Sequence, residues 1–207
     1  ELETVYEEKN RSLDNAGRII GTAIDELLYK VHPYGQQPTI GTVDHLKNPS
    51  LVYIQNYFDT YYVPNNMGIF ISGDINIEET IALISDKFGH WSPKTIPEVG
   101  PWSEPPIAGA ERRTVQYPGE EQVSIAFRTA ENGHEDKEAL VLVDMILDNR
   151  TAGLINLNLT QQQLVSSAGS SPLFLNDYGS QNLYGVPKPD QSLEEVERLL
   201  LDQLELI

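Results

Sequence analysis

Cysteine is absent from the sequence. That excludes thiol catalysis, disulfide staples and cysteine-based zinc sites. It suits an oxidising envelope compartment, and it suits the cytosol almost as well. Positive charge is also scarce: 14 Lys and Arg stand against 31 Asp and Glu, for a net charge of −17. Nucleic-acid phosphates need a basic surface, so nucleic acid is a poor partner, and an anionic membrane surface is disfavoured for the same reason. No apolar run approaches the length of a membrane span. The chain opens without Met and without a leader pattern, which reads as a mature chain or a cut fragment. What is present is 40% hydrophobic residues over 207 positions, enough to build a core in one or two domains.

Apolar periodicity organises the first half. Leu2, Val5, Ile20, Ala23, Ile24, Leu27 and Leu28 recur at helical spacing over 1–30, and Gly17 and Gly21 suggest a break in the middle. Pro33 disfavours helix at His32, so the helix ends before "HPYGQQPTIG". Ser50 is placed to cap a second helix with a stripe of Leu51, Ile54 and Phe58. "MGIFISGD" (67–74) reads as a short buried strand. Asn76 with Glu79 has the spacing of a capping box, ahead of Ile77, Ile81, Ile84 and Phe88.

Residues 92–110, "SPKTIPEVGPWSEPPIAGA", have no apolar period and are dense in Pro and Gly, so they read as an exposed linker. Residues 1–91 and 111–207 then form separate domains. In the second, "RRTVQYP" and "EQVSIAFRT" read as strands and "HEDKEALVLVDMILDN" as a helix. "AGLINLNLTQQQL" reads as another helix, and the segment from Val165 to Pro187 as two strands around a turn. Ser192 with Glu195 caps a last helix whose apolar face holds Leu193, Val196, Leu200 and Leu204. That helix runs to the last residue without a cap, so both ends look cut.

The opening "ELETVYEE" carries its acids on a regular spacing. Positions seven apart on a helix lie about 20° from alignment, so Glu1 and Glu8 share a face and Glu7 points elsewhere. Two carboxylates on one face repel unless hydrogen bonds or a cation lie between them. Spacing alone leaves two readings: a solvated acidic face favoured by the helix dipole, or part of a metal site.

The ordered set "ExxxVxEE", "HPYGxxxxIG", "YYVPNNMGIFISGD" and a helix ending in "FGHW" resembles the middle of the pitrilysin–insulinase family of zinc proteases, over nearly the whole chain. The likeness is greatest to long members from Bacteroides-like bacteria. It implies an α+β fold of two similar lobes, each a mostly antiparallel sheet with helices packed on one face. Residues 1–91 would be the later part of the first lobe and 111–207 the first part of the second. It implies zinc, bound through an H-x-x-E-H helix and a Glu from a later helix. Matched residue by residue, that later ligand is Glu8, and Glu1 is the acid that supports the site from outside the ligand set. The implied activity is a metalloendopeptidase acting on peptides or small unfolded proteins, in which zinc activates water and the Glu of the motif is general base. The implied partners are peptide substrates and either the remainder of its own chain or a second half of a clamshell. The implied location is the periplasm or cell envelope of a Gram-negative bacterium, with the cytosol as the alternative.

None of His32, His45, His90 and His134 stands in H-x-x-E-H, and "HEDKE" at 134 lacks the second His. At most one of the three protein ligands that catalytic zinc needs is therefore in the chain. The chain alone is expected to be inactive. The other reading is a scaffold or substrate-binding member of the same fold that lacks the motif. His32 is expected to pack in its Pro/Gly loop, and the remaining histidines to sit at the surface or at caps.

Overall fold

The computed structural model describes residues 2–207. Its elements are α1 (Leu2–Ser12), α2 (Ala16–Leu28), α3 (Pro33–Gln36), α4 (Val43–Lys47), α5 (Leu51–Tyr61), α6 (Ile77–Phe88), β1 (Val123–Thr129), α7 (Lys137–Leu147), β2 (Ser167–Phe174), β3 (Gly179–Val186) and α8 (Leu193–Leu204). Helix and antiparallel sheet together make an α+β fold. Two compact units share the described residues: one holds 2–6 and 41–102, the other 7–40 and 103–207.

The second unit owns the sheet, in the order β1–β3–β2, with both pairings antiparallel. Ile125 lies opposite Leu183, and Gly185 opposite Ala168. The core gathers Leu147 of α7, Leu183 of β3, and Val196 and Leu200 of α8, all buried. Ile155, Leu159 and Val165 complete it. Ile155 leads into a short π-helical turn, Asn156–Thr160, which replaces the longer helix expected there. A Cβ on Gly185 would meet Val196 Cγ1 at 2.5 Å, so the missing side chain lets α8 lie directly on β3.

The N-caps form where read, but among the described residues Glu79 and Glu195 do not return the bond that would complete a capping box. Ser50 accepts from the Tyr53 N–H, Asn76 from Glu79, and Ser192 from Glu195. The break between α1 and α2 falls elsewhere than expected. Asn15 caps α2 by accepting from the Arg18 N–H, and Gly17 and Gly21 lie inside that helix.

Two strand expectations fail. Residues 112–118 join no sheet: Arg112 pairs with Glu197 and Arg113 with Glu26, while Tyr117 Oη donates to the Glu120 carbonyl. Residues 67–72 join no ladder, and they are exposed, not buried. Their unit, 41–102, buries one described residue, Val63. Most of 92–110 is exposed, but Glu104 is buried.

Leu200 is fully buried in the core between α8 and β3, so its truncation removes packed apolar volume. Leu200→Ala is expected to cost about 2–5 kcal/mol, read by urea unfolding of the far-ultraviolet circular dichroism. A loss below about 1 kcal/mol would show that α8 is not anchored there.

Candidate functional site

Glu1 lies outside the described residues. On α1, Glu3, Glu7 and Glu8 are all exposed. The helix orders its charge along its dipole, with Glu3 in the first turn and Lys9 and Arg11 in the last. Glu8 therefore presents a solvated carboxylate. Among the described residues, no group of three His, Cys, Asp or Glu is gathered closely enough to hold a metal. A catalytic zinc needs three protein ligands and an open position. The residues present do not fit the ion on their own, and no catalytic step is assigned to them.

The histidines are engaged in local structure. His45 closes a capping box with Thr42, and His134 Nδ1 accepts from the Asp136 N–H. His90 is exposed beside the Trp91 ring. His32 is 2% exposed and caps α3, its Nδ1 accepting from the Tyr34 N–H. That bond puts the proton of the neutral ring on Nε2, which lies 3.1 Å from Asp177 Oδ2 and donates to it. The rings of Tyr34 and Tyr178 pack against it.

Around His32 lies a buried polar cluster that sequence reasoning missed. Where α2 ends, the backbone N–H groups of Lys30, Val31 and His32 all donate to the Glu104 carboxylate, at 2.8, 2.7 and 2.6 Å. Arg128 extends from β1, donating to the carbonyls of Leu28 and Pro105 and lying 3.4 Å from Glu104. Tyr178 accepts from the Glu104 N–H. Burial by itself would raise the Glu104 pKa. The three backbone donors and the guanidinium outweigh it and hold the carboxyl below its usual value. Tyr29, whose hydroxyl donates to the Gly179 carbonyl, is pushed up to about 12 by burial and then by the nearby Asp25 carboxylate. Asp25 is itself raised by burial to about 6. Glu104 is saturated with donors and stays ionised, so the cluster is a clamp and not an acid–base pair. The only sequence signal was one acid inside a Pro-rich stretch.

A second concavity, an open groove of about 370 Å³, is lined by Asp148, Arg150, Asn156, Thr160, Ser170 and Tyr184 among others. Asp148 is occupied, its two oxygens accepting from the N–H groups of Arg150 and Ser170. The groove can hydrogen-bond a small polar group, and the Ser170 hydroxyl on its wall already donates to the Asp144 carboxylate at 2.6 Å.

Glu104→Gln keeps the shape and removes the charge. It is expected to cost about 1–3 kcal/mol at pH 7, the range for a charged hydrogen-bonded group. The folded pKa is depressed, so the stabilisation is present above the unfolded value of about 4.3. It is lost as pH falls through the lower folded value. Thermal melts of both proteins from pH 7 to pH 3 should converge at the acid end. A constant gap would show that the charge is not what stabilises.

Comparison with known proteins places the chain. Residues 51–207 match the family described as Peptidase M16 inactive domain. The chain is 26% identical over 218 residues to the zinc protease PqqE of Helicobacter pylori, across 99% of this chain and 47% of that protein. Its fold is similar to the crystal structure of a protease from Helicobacter pylori, with a TM-score of 0.82, 23% identity, and coverage of 99% of this chain and 51% of that one. It is also similar to the periplasmic protease PqqL from Escherichia coli, with a TM-score of 0.67, 15% identity, and coverage of 97% and 23%. The chain thus spans about half the length of the Helicobacter pylori relatives it matches.

Proposed function

The chain belongs to the Peptidase M16 inactive-domain family, and on that premise we propose that it is a non-catalytic stretch of a zinc metalloendopeptidase that hydrolyses peptides or small unfolded proteins. The observation that carries the reading is the alignment of 99% of the chain with a protein named as a zinc protease. In the longer protein Glu8 supplies one carboxylate ligand to zinc, and Glu1 positions that site from outside the ligand set. The remaining donors and the general base come from an H-x-x-E-H helix that residues 1–207 do not contain. Peptide substrates and the rest of its own polypeptide, or a second half of a clamshell, are the partners. A periplasmic or cell-envelope location is supported by the periplasmic protease of similar fold.

In this reading residues 1–91 close a first lobe, 92–110 link, and 111–207 open a second. The contact-based units differ from that division in part because Glu104 clamps the end of α2. One observation favours a second reading, a scaffold or substrate-binding member without zinc: the matched family is described as inactive.

The experiment uses the complete gene product and three variants. Glu8→Gln is expected to lose both zinc and peptidase activity. Glu1→Gln should lose activity with less loss of metal, since supporting residues typically cost about 10–100-fold. Glu7→Gln should change little. Elemental analysis and peptide-cleavage rates read the result. Zinc lost from Glu7→Gln and retained in Glu8→Gln would move the ligand by one position, and a zinc-free, inactive parent would favour the scaffold.

Residues 1–207 with added zinc are expected to cleave no unstructured peptide. Chelator-sensitive cleavage by the purified chain would overturn that.

A further inference from the structure

The end of α7 is charged against its own dipole. A helix C-terminus carries partial negative charge and favours cations. Here the last turn has no base, and it carries Asp144, with Asp148 one turn on as the C-cap. Both acids are partly buried. Among the described residues, no Lys, Arg or His forms an ion pair with either. Arg150 lines the same groove as Asp148, but it is the Arg150 backbone N–H, not its guanidinium, that bonds this carboxylate. Ser170 brings the two acids to one place. Its N–H donates to Asp148 Oδ2 at 3.1 Å, and its hydroxyl donates to Asp144 Oδ1 at 2.6 Å.

A separate feature of β3 points to a ligand at the same place. Gln181 is 6% exposed, and its Nε2 donates to Asp144 Oδ1 at 2.7 Å. The oxygen of that amide, Oε1, is buried without a hydrogen-bond partner, which costs free energy unless a further group meets it. Gly169 keeps the approach open: a Cβ there would lie 2.8 Å from both Asp148 Oδ2 and Tyr184 Cε1.

We propose that Asp144, Asp148, Ser170 and Gln181 hold a calcium ion at the end of α7. All four donors are oxygens, which suits a hard cation and not zinc. They come from α7, its cap, β2 and β3, and impose no octahedron of the kind magnesium demands. Calcium takes about 6–8 oxygen ligands, so water from the groove completes the shell. The existing bonds can stay, since a carboxylate has about four lone-pair sites and each of these acids uses two. The bound ion would neutralise the acid pair and join α7 to the sheet beside the groove. None of its donors belongs to α1, so the site is independent of the zinc reading.

Terbium, a hard ion that replaces calcium and emits when a tyrosine ring lies close by, is the probe. It is added to the complete gene product after treatment with a calcium chelator, at fixed ionic strength. Emission should saturate at one site and be displaced by calcium with a Kd of about 0.1–1 mM, the range of extracellular calcium modules. Asp144→Asn keeps the shape, removes one of two charges, and should weaken binding at least about 10-fold. Gln181→Met should weaken it by a smaller factor. Glu194→Gln, an exposed acid on α8, should change nothing. Tyr184→Phe should lose most of the emission and keep the calcium affinity. Tyr184 is 44% exposed, so this variant keeps the test decisive if a position-144 or position-181 variant misfolds.

Emission that never saturates, or that survives both Asp144→Asn and Tyr184→Phe, reports general attraction of cations to an acidic surface and overturns the site. Absence of emission overturns it too, and leaves water as the partner of Gln181. Displacement by magnesium as readily as by calcium overturns the calcium assignment. Saturable emission that depends on Asp144 in a product without zinc or peptidase activity upholds the calcium site while defeating the catalytic reading.

Discussion

The constraint on which the sheet-bearing unit depends is the unpaired end of α2. The chain turns sharply after Leu28 towards "HPYG", leaving the N–H groups of Lys30, Val31 and His32 without helical or sheet partners. Burying an N–H unpaired costs about 1–3 kcal/mol; of the three residues His32 is buried, while Lys30 and Val31 are exposed and their bonds part-buried. One carboxylate, Glu104, takes all three. It is in turn balanced by Arg128, which rises from β1 and ties the carbonyls of Leu28 and Pro105 into the same cluster. Three segments far apart in sequence are thereby held together, and residues 7–40 belong to the same compact unit as the sheet.

The two units differ in how they meet the cost of ordering a chain. Folding loses about 1–2 kcal/mol of backbone entropy per residue, and burial of apolar side chains is the main compensation. The second unit has that compensation in Leu147, Leu183, Val196 and Leu200, packed between sheet and helices. The 41–102 segment has Val63 and little else among the described residues. Its helices are well capped and its aromatic residues pair along α5, Tyr57 with Tyr61 and Phe58 with Tyr62. Those interactions are local. They shape the helices without enclosing them.

The same distinction between local and distant interactions decides how much was legible in the sequence. Caps were readable because donor and acceptor lie three residues apart, as at Ser50, Asn76 and Ser192. The α8 stripe was readable because Val196 and Leu200 repeat on the helical period and are both buried. The period in 67–72 suggested a buried strand that the structure does not show, because pairing depends on partners that periodicity does not reveal. At 112–118 the alternation misled, since ion pairs and a tight turn outweighed a weak strand pattern. Glu104 was illegible because its partners lie more than 70 residues away. As for the candidate metal site, the resemblance singled out Glu8 as ligand and Glu1 as support; the structure places Glu8 in solvent, and no group of three metal-binding side chains gathers among the described residues.

Two carboxylates therefore show opposite solutions to the same electrostatic problem. Glu104 is withdrawn from water, so its charge must be met within the fold, by three N–H donors and a guanidinium. It is consequently unavailable to any ligand. Glu8 keeps its hydration on the exposed surface of α1. A side chain of the second kind can be recruited by a cation, because the exchange is water for metal and leaves the fold's own hydrogen bonds intact. A side chain of the first kind could bind one only by breaking the clamp that holds its unit together. Of the two, Glu8 alone is free for the role that the family resemblance gives it.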